Sequence, residues 1–412
     1  MRTLSNSLIL VTLFSLFVPN PLRAQWVQTN GPYGQSVYSF AVSGTNLFAG
    51  TSVGGVFLST NNGTNWTPVN TGLGSFPFVR ALAISGTDLF AGLNSGAVFR
   101  STNNGASWTA ASGGLTDPVF ALAVSGANLF AGTLFGGVFL STNNGTNWTP
   151  VNSGLGSFPF VQALAVSGTN LFAGTQTQTA GVFRSTNNGT SWIYSGVNQS
   201  VDAFAISSTN LFAGSWQGVY LSTNNGANWT AVNSGLTSPY VQALAVNGTN
   251  LFAGTNTGGN SGGVFLSTNN GTSWTEVSTG LNYMNILSLA VSGTNLFAGT
   301  GDDGGVWRRP LSQMVSVEER QSVLPAGFFL QQNYPNPFNP LTTIKYDLPR
   351  ESFITLKLYD ILGREVATLV NKEEHAGYKQ ATWDAARYAS GVYFYRLQAG
   401  DFVATKKLIL LR

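Results

Sequence analysis

STNNGTNW at Ser59–Trp66 is the stretch that decides the fold, because the chain repeats it. Six copies carry Ser, Thr, Asn, Asn and Gly in their first five positions and Trp in the last. The six tryptophans, spaced 37 to 45 residues apart, are Trp66, Trp108, Trp148, Trp192, Trp229 and Trp274. A nearly fixed period of this length indicates one supersecondary unit copied along the chain.

A second signature, Asn/Asp-Leu-Phe-Ala-Gly, occurs seven times against six octapeptides. Its copies begin at Asn46, Asp88, Asn128, Asn170, Asn210, Asn250 and Asn295. The seventh copy has no octapeptide after it, whereas Trp26–Asn30 (WVQTN) resembles the strands that follow an octapeptide and lies 40 residues before Trp66. We therefore expect the N-terminal strand to complete a seventh unit and close a ring.

The repeated units are predicted to be β-structure. Runs of four to seven residues rich in Val, Phe, Leu and Thr alternate with Asn-Gly and Ser-Gly turns. Four strands in about forty residues is typical of a propeller blade, and a closed ring removes exposed sheet edges. The expected fold class is all-β: a seven-bladed β-propeller at residues 25–310, followed by a small antiparallel β-sandwich.

The residue types of the octapeptide suit a tight structural turn. Asn-Gly favours positive φ, Ser and Asn side chains can bond nearby amides, and each Trp, with Trp26 as the seventh, can bury roughly 150–250 Å². Ser-x-Asn-x-Gly-x-x-Trp resembles the Asp-box of sialidase-type (BNR) repeats, with Asn61 and its five equivalents in the acidic position. The resemblance implies a turn between the two outer strands of a blade, away from the active face.

The composition changes at Pro310, because 22 of the 35 charged residues lie in 311–412. We expect a linker at 311–324 and the sandwich at 325–412. This segment resembles the type A C-terminal sorting domain of the type IX secretion system, also through Leu358–Glu365 (LYDILGRE). The other matching residues are Tyr334, Pro335, Asn336, Pro337, Phe338, Gly391, Tyr393, Lys406 and Lys407.

The N-terminus is predicted to be a secretory signal peptide at residues 1–24. Arg2 precedes the apolar run Leu8–Val18, and Ala24 supplies a small residue for cleavage. With the sorting resemblance, this implies a secreted, extracellular or outer-membrane cell-surface protein that engages the type IX machinery. No later stretch has 18 consecutive apolar residues, so the mature chain is expected to lack a transmembrane segment. We also expect the protein to be a monomer.

The composition excludes several kinds of chemistry. The chain has no Cys and one His, His375 in the sorting segment, so disulfides, thiolate metal sites and a Ser-His-Asp triad in the propeller are excluded. Residues 25–310 hold eleven charged residues and no Lys, so no basic stripe for nucleic acid is present. Arg100, Arg184 and Arg308 replace a Leu of other units and are expected on outer strands. We predict no catalytic residue, no cofactor and no metal.

Comparison of the seven units suggests one variable face. The loops between second and third strands and the connections between blades differ, whereas the octapeptides do not. Candidate ligand-binding residues on this face are Arg80, Asp117, Asp202, Trp216, Tyr240, Tyr283, Asp302 and Asp303. At the start of the innermost strands, Arg80 and Asp202 stand where other units have Tyr38, Phe120, Gln162, Gln242 and Leu287.

Three functions remain open at the sequence level. The first is a non-catalytic module that displays or binds a glycan or protein. The second is a glycan-active hydrolase, sialidase-like or another glycosidase, which needs two carboxylates about 5–9.5 Å apart. Asp302 and Asp303 are neighbours that we expect in a solvated loop. The third is a passive spacer, in which the variable loops reflect unconstrained drift.

Overall fold

The computed structural model describes residues 25–157, 159–176, 180–256, 262–314, 325 and 327–411. The signal peptide predicted at 1–24 lies outside these residues. The chain divides into two compact units between Met314 and Val315. No α-helix occurs in the described parts of either unit, and thus none that could cross a membrane.

The first unit contains seven four-stranded antiparallel sheets. Its first strand is β1 (Val27–Gln28). Blade 1 contains β2 (Val37–Ser43), β3 (Asn46–Thr51), β4 (Val56–Ser59) and β5 (Thr67–Pro68). Blade 2 contains β6 (Val79–Ser85), β7 (Asp88–Leu93), β8 (Val98–Ser101) and β9 (Thr109–Ala110). Blade 3 contains β10 (Val119–Ser125), β11 (Asn128–Thr133), β12 (Val138–Ser141) and β13 (Thr149–Pro150).

The remaining blades repeat this order. Blade 4 contains β14 (Phe160–Ser167), β15 (Asn170–Gln176), β16 (Gly181–Ser185) and β17 (Ile193–Gly196). Blade 5 contains β18 (Val201–Ser207), β19 (Asn210–Ser215), β20 (Gly218–Ser222) and β21 (Thr230–Ala231). Blade 6 contains β22 (Val241–Asn247), β23 (Asn250–Thr255), β24 (Gly263–Ser267) and β25 (Thr275–Glu276). Blade 7 contains β26 (Ile286–Ser292), β27 (Asn295–Thr300), β28 (Val306–Pro310) and the N-terminal β1.

Blade 7 confirms the predicted joining of the two ends of the propeller sequence, because Val27 pairs with Arg308 and Gln28 with Trp307. Each innermost strand contacts that of the next blade, and β26 contacts β2. The seven tryptophans trace the same cycle, since each indole N–H donates to an oxygen in the preceding blade at 2.7–3.4 Å. The pairs are Trp66–Thr29, Trp108–Val69, Trp148–Ala111, Trp192–Val151, Trp229–Ser195, Trp274–Val232 and Trp26–Val277.

The Leu-Phe-Ala-Gly signature forms the contact between blades. Its Phe is at most 1 % exposed in every blade and packs on the following blade, as Phe48 packs against Val79 and Trp108. Its Gly lets the strands approach closely, because a Cβ atom there would lie 2.5–2.8 Å from the Val or Ile that opens the next blade. This contact includes Gly299 of blade 7 against Val37 of blade 1. The signature is therefore fixed by packing between blades.

The octapeptide forms one turn in all six copies. In the first, Asn61 Oδ1 accepts from Ser59 Oγ at 3.0 Å and from the Asn65 amide at 2.9 Å, while Ser59 Oγ accepts from the Gly63 amide at 2.9 Å. Asn62 and Gly63 have φ of 57° and 73°, the left-handed region that Asn and Gly tolerate best. Asparagine thus supplies the oxygen acceptor of this turn through its side-chain amide.

The propeller unit extends beyond its predicted end at residue 310. Leu311–Gln313 form a 3₁₀ helix, and Met314 is buried against the core cluster that contains Trp26. The first four residues of the predicted linker therefore belong to the propeller, because an apolar side chain anchors them. Residues 315–324 lie outside the described part of the chain.

The second unit contains two antiparallel sheets, as expected for a small antiparallel sandwich. One sheet has the order β29 (Phe329–Leu330), β30 (Leu341–Leu348) and β33 (Gly377–Asp384). The other has the order β32 (Glu365–Glu374), β31 (Ser352–Tyr359), β34 (Gly391–Ala399) and β35 (Phe402–Leu410). Alternate residues of both sheets, such as Ile344 and Leu356, meet in one buried cluster.

The sorting motif residues occupy distinct places in this unit. In Tyr334–Phe338, Tyr334 is exposed, whereas Phe338 is buried with its ring 5.5 Å from that of Trp383. Asn336 Oδ1 accepts from the Ile409 amide at 2.9 Å, so the motif holds the last strand. The peptide bonds before Pro335 and Pro337 are cis. Gly391 is the first residue of β34, and the buried Tyr393 packs against Trp383. Lys406 and Lys407 lie on β35.

Candidate functional site

Every innermost strand carries a β-bulge near its start. In blade 1 Val37 pairs with Thr51 and Ser39 with Gly50, so Tyr38 is left out of the ladder. The same shift occurs in the other six blades, at Arg80, Phe120, Gln162, Asp202, Gln242 and Leu287. A bulge reorients the side chain of its extra residue, and bulges are enriched beside binding and active sites.

All seven bulge residues line one cavity of about 280 Å³, together with Gln176 and Tyr240. The residues before the bulges are six Val and one Ile, each fully buried, and those after them are only Ala or Ser. The bulge positions themselves hold Tyr, Arg, Phe, Gln, Asp, Gln and Leu. The repeat therefore varies at the residue that faces the cavity and stays constant on either side of it.

The variable loops lie at the cavity end of the blades. In six of the seven blades, the residue that follows the second strand donates its amide to the carbonyl just before the innermost strand, as Ser52 does to Ser36 and Asn94 to Phe78. The same bond joins Leu134 to Pro118, Trp216 to Ser200, Asn256 to Tyr240 and Gly301 to Asn285. The two sets of variable loops thus share one end of the propeller.

Arg80 brings a positive charge to the cavity. Its guanidinium carbon lies 4.4 Å from the ring centre of Phe78, 4.2 Å from that of Phe120 and 5.1 Å from that of Tyr38. Its Nε donates to Asn94 Oδ1 at 2.7 Å. Burial lowers the pKa of Arg80, and Tyr38 acts in the opposite direction. Aromatic faces and one amide hold this cation in place.

Asp202 brings a carboxyl group from blade 5. Its Oδ1 accepts from Gln176 Nε2, whereas its buried Oδ2 has no hydrogen-bond partner among the described residues. Burial raises the pKa of Asp202 to about 7, although the Gln176 bond and the Trp216 indole act in the opposite direction. Asp202 is therefore a carboxyl group poised near neutral pH.

Trp216 and Tyr240 form an aromatic wall beside Asp202. Their ring centres are 5.3 Å apart, Trp216 is 51 % exposed, and Tyr240 lines the cavity. Burial and the charge of Asp202 raise the pKa of Tyr240. Gln242 donates to Tyr240 Oη at 3.2 Å, but its buried Oε1 has no partner in the described structure. Two unpartnered acceptor atoms thus lie beside the aromatic wall.

Five of the eight candidates from the sequence are not among the residues that line this cavity: Trp216, which lies beside it, and Asp117, Tyr283, Asp302 and Asp303. Asp117 lies against Gly136, where an added Cβ atom would come within 2.5 Å of Oδ2. Tyr283 packs with its ring 6.5 Å from that of Trp307. Asp302 and Asp303 form an exposed turn with φ of 51° and 59°. The structure therefore brings together Arg80, Asp202 and Tyr240, with Trp216 beside them.

Gln176 lines the cavity but was not singled out from the sequence. It is the last residue of the second strand of blade 4, at the repeat position that Asn94 and Trp216 occupy in blades 2 and 5. Asn94 binds Arg80 and Gln176 binds Asp202, so these residues set the orientation of the bulge side chains. Comparison of this position between repeats is the signal that could have found it.

Carboxylates do not gather at the cavity. Asp202 is the one acidic residue among its described lining residues, and Glu276 is exposed on β25. No group of three His, Cys, Asp or Glu side chains in the described part of the chain could hold a metal ion.

The three arginines that replace Leu make structural contacts on the outer strands. Arg100 forms an ion pair with Asp88 at 2.5 Å. Arg184 and Arg308 donate to the carbonyls of Asn225 and Asn62, in the octapeptide of the following blade, at 2.9 and 2.8 Å. Arg184 and Arg308 therefore join neighbouring blades at the octapeptide end, whereas the Arg100–Asp88 ion pair lies within blade 2.

Comparison with known proteins separates the two units. Residues 332–411 match the secretion system C-terminal sorting domain family. This domain indicates delivery through the type IX secretion system to the cell surface or the extracellular space. No curated protein matches the chain at a significant level.

Solved structures show the propeller fold at low sequence identity. PorZ, an essential surface component of the type IX secretion system of Porphyromonas gingivalis, has a TM-score of 0.51 and 17% identity, over 94% of this chain and 61% of its own. YCF48 from Cyanidioschyzon merolae has a TM-score of 0.54 and 15% identity, over 70% and 98%. The GH74 xyloglucanase of Xanthomonas campestris has a TM-score of 0.56 and 15% identity, over 79% and 60%. The chain spans less than two thirds of the length of PorZ and of the xyloglucanase. It shares a β-propeller fold with all three proteins. In this chain the propeller is followed by a type IX sorting domain.

Proposed function

We propose that this chain is a non-catalytic binding protein, which the type IX system delivers and which takes its ligand in the cavity of the bulge residues. One observation carries the proposal: seven strands place a variable side chain in one cavity while their flanking residues stay constant. Drift of unconstrained loops does not account for variation at one position inside a regular strand whose flanking residues stay constant. Variation at a fixed, inward-facing position is what a specificity site requires.

The chemistry of the cavity favours binding over hydrolysis. A glycosidase of the usual kind needs two carboxyl groups on either side of the scissile bond. Asp202 is the one acidic residue among the described lining residues, and Arg80, Gln162, Gln176 and Gln242 supply hydrogen-bonding groups instead. Polar side chains together with the Trp216–Tyr240 wall are a recognition surface, because they orient a ligand without supplying an acid and a base.

The proposal is tested with arrays of glycans and short peptides. The purified full chain is compared with Trp216→Ala and with Thr45→Ala, a control in the exposed turn at the other end of β2. A ligand of the cavity should be retained by the wild type and by Thr45→Ala but lost by Trp216→Ala. Absence of any bound compound, or equal binding by all three proteins, would contradict the proposal.

A further inference from the structure

The cavity holds two opposite charges that do not pair with each other. Neither Arg80 nor Asp202 belongs to an ion pair among the described residues. Arg80 lies on blade 2 and Asp202 on blade 5, three blades apart in a ring of seven, so the cavity separates them. A charge held away from water without a counter-charge is unfavourable, and a ligand that supplies both counter-charges relieves both costs.

The wall around Asp202 suits a cationic nitrogen. Asp202 Oδ2 and Gln242 Oε1 are both buried acceptors without a donor in the described structure. They lie on neighbouring blades next to Trp216 and Tyr240, whose ring faces attract cations. An ammonium group carries three donors and a positive charge, so it supplies the kind of donor that both oxygens lack.

The opposite wall suits a carboxylate. The Arg80 guanidinium is flanked by Phe78 and Phe120, and its Nε is already used by Asn94. Its terminal nitrogens remain as paired donors, the arrangement that matches the two oxygens of a carboxylate. A neutral ligand such as an unmodified sugar would leave both charges of the cavity without a counter-charge.

From these two walls we infer that the ligand is a small zwitterion of the amino-acid or short-peptide class, with its ammonium group at Asp202 and Gln242 and its carboxylate at Arg80. The inference rests on the proposed binding function and gives it a ligand class. The cavity of about 280 Å³ has room for a dipeptide-sized molecule and lies near the lower limit of ordinary ligand pockets.

The first test measures the affinity of the full chain for dialanine by calorimetry, with its N-acetylated form, its C-terminal amide and neutral maltotriose as comparison compounds. Dialanine should bind, and blocking either end should weaken binding about tenfold or more, as expected for loss of a charge-assisted contact. Asp202→Asn should remove the preference over the N-acetylated form. Arg80→Gln should remove the preference over the amide, and Arg80→Lys should restore part of it.

The pH dependence gives a second readout. Tyr38, Tyr240 and Arg80 are the other titratable groups that line the cavity, and Asp202 has a pKa of about 7. Between pH 7 and pH 6 the ionised fraction of Asp202 falls from about one half to about one tenth, while the ligand ammonium stays charged. The affinity for dialanine should therefore fall about fivefold, and Asp202→Asn should not show this fall.

The outcomes separate this inference from the function on which it depends. Equal binding of dialanine and its blocked forms, or binding of maltotriose alone with loss in Trp216→Ala, would overturn the zwitterion while retaining a binding cavity. Failure of dialanine, maltotriose and every array compound to bind would overturn both.

Discussion

The two ends of the propeller use the same repeat in opposite ways. At the octapeptide end, six identical turns satisfy their own polar groups, as Asn61 does for Ser59 and Asn65. At the cavity end, seven bulge positions hold six residue types, and buried oxygens of Asp202 and Gln242 lack partners. The difference shows that polar groups hydrogen-bonded within the turn stabilise the propeller fold, whereas the unpartnered polar groups of the cavity remain available to bind a ligand.

The comparison is tested most strongly with two tryptophans. Trp148→Ala removes a side chain that is 5 % exposed and donates to Ala111 O at 2.8 Å, so it should lower the free energy of unfolding by about 3–5 kcal/mol. Trp216→Ala, at the cavity end and 51 % exposed, should lower it by less than about 1 kcal/mol. Urea unfolding followed by circular dichroism measures both, and similar losses would contradict the distinction between the ends.

Asp202 gives the next largest effect, through pH. Its pKa is about 7 in the folded chain against an ordinary value of 3.8 for aspartate, so the folded state binds the proton more tightly. Stability should therefore fall as pH rises from about 4 to about 7 and then level off. At about 1.4 kcal/mol per pKa unit the loss is at most about 4 kcal/mol, and partial solvent access reduces it.

The control for this effect is Asp202→Asn, which keeps the shape and the acceptor for Gln176. The variant should be more stable than the wild type at pH 8 and nearly equal to it at pH 4. Parallel stability curves for the two proteins across this range would show that Asp202 does not carry the effect.

A smaller loss is expected within the octapeptide turn. Asn143→Ala removes the acceptor for Ser141 Oγ at 2.9 Å and for the Asn147 amide at 3.0 Å, so unfolding should become easier by about 1–2 kcal/mol. Asn143→Asp keeps an oxygen acceptor for both contacts, and should change stability by less than about 0.5 kcal/mol. Thermal unfolding compares the two, and an equal loss in both would rule out the acceptor role.

The smallest change is expected at a bulge position. Gln162→Leu places in blade 4 the residue that blade 7 carries as Leu287, so it should alter stability by less than about 1 kcal/mol. Its neighbour Val161 is fully buried, and Val161→Ala should cost more than this. A loss of stability for Gln162→Leu as large as that for Val161→Ala would mean that the bulge residues stabilise the propeller fold rather than serving ligand binding.

Much of the fold could be predicted from repeats and motifs. The count of seven signatures against six octapeptides, with Trp26–Asn30 as the missing strand, predicted blade 7 correctly, and the sorting motifs identified the second unit. The end of the propeller was missed by four residues, since burial of Met314 depends on a cluster that the local sequence does not contain. Gln176 was missed because its role is the contact with Asp202, 26 residues away.

The sequence by itself determined the number of blades, their closure and the sorting domain, because strand periodicity, turn chemistry and motif spacing are local patterns that can be read directly from the sequence. Only the tertiary structure decided that bulge residues from seven distant repeats converge on one cavity, that Arg80 and Asp202 face it without pairing, and that burial moves the pKa of Asp202 to about 7. Convergence, pairing and desolvation depend on distances between residues far apart in the sequence, and closing the ring is what sets those distances.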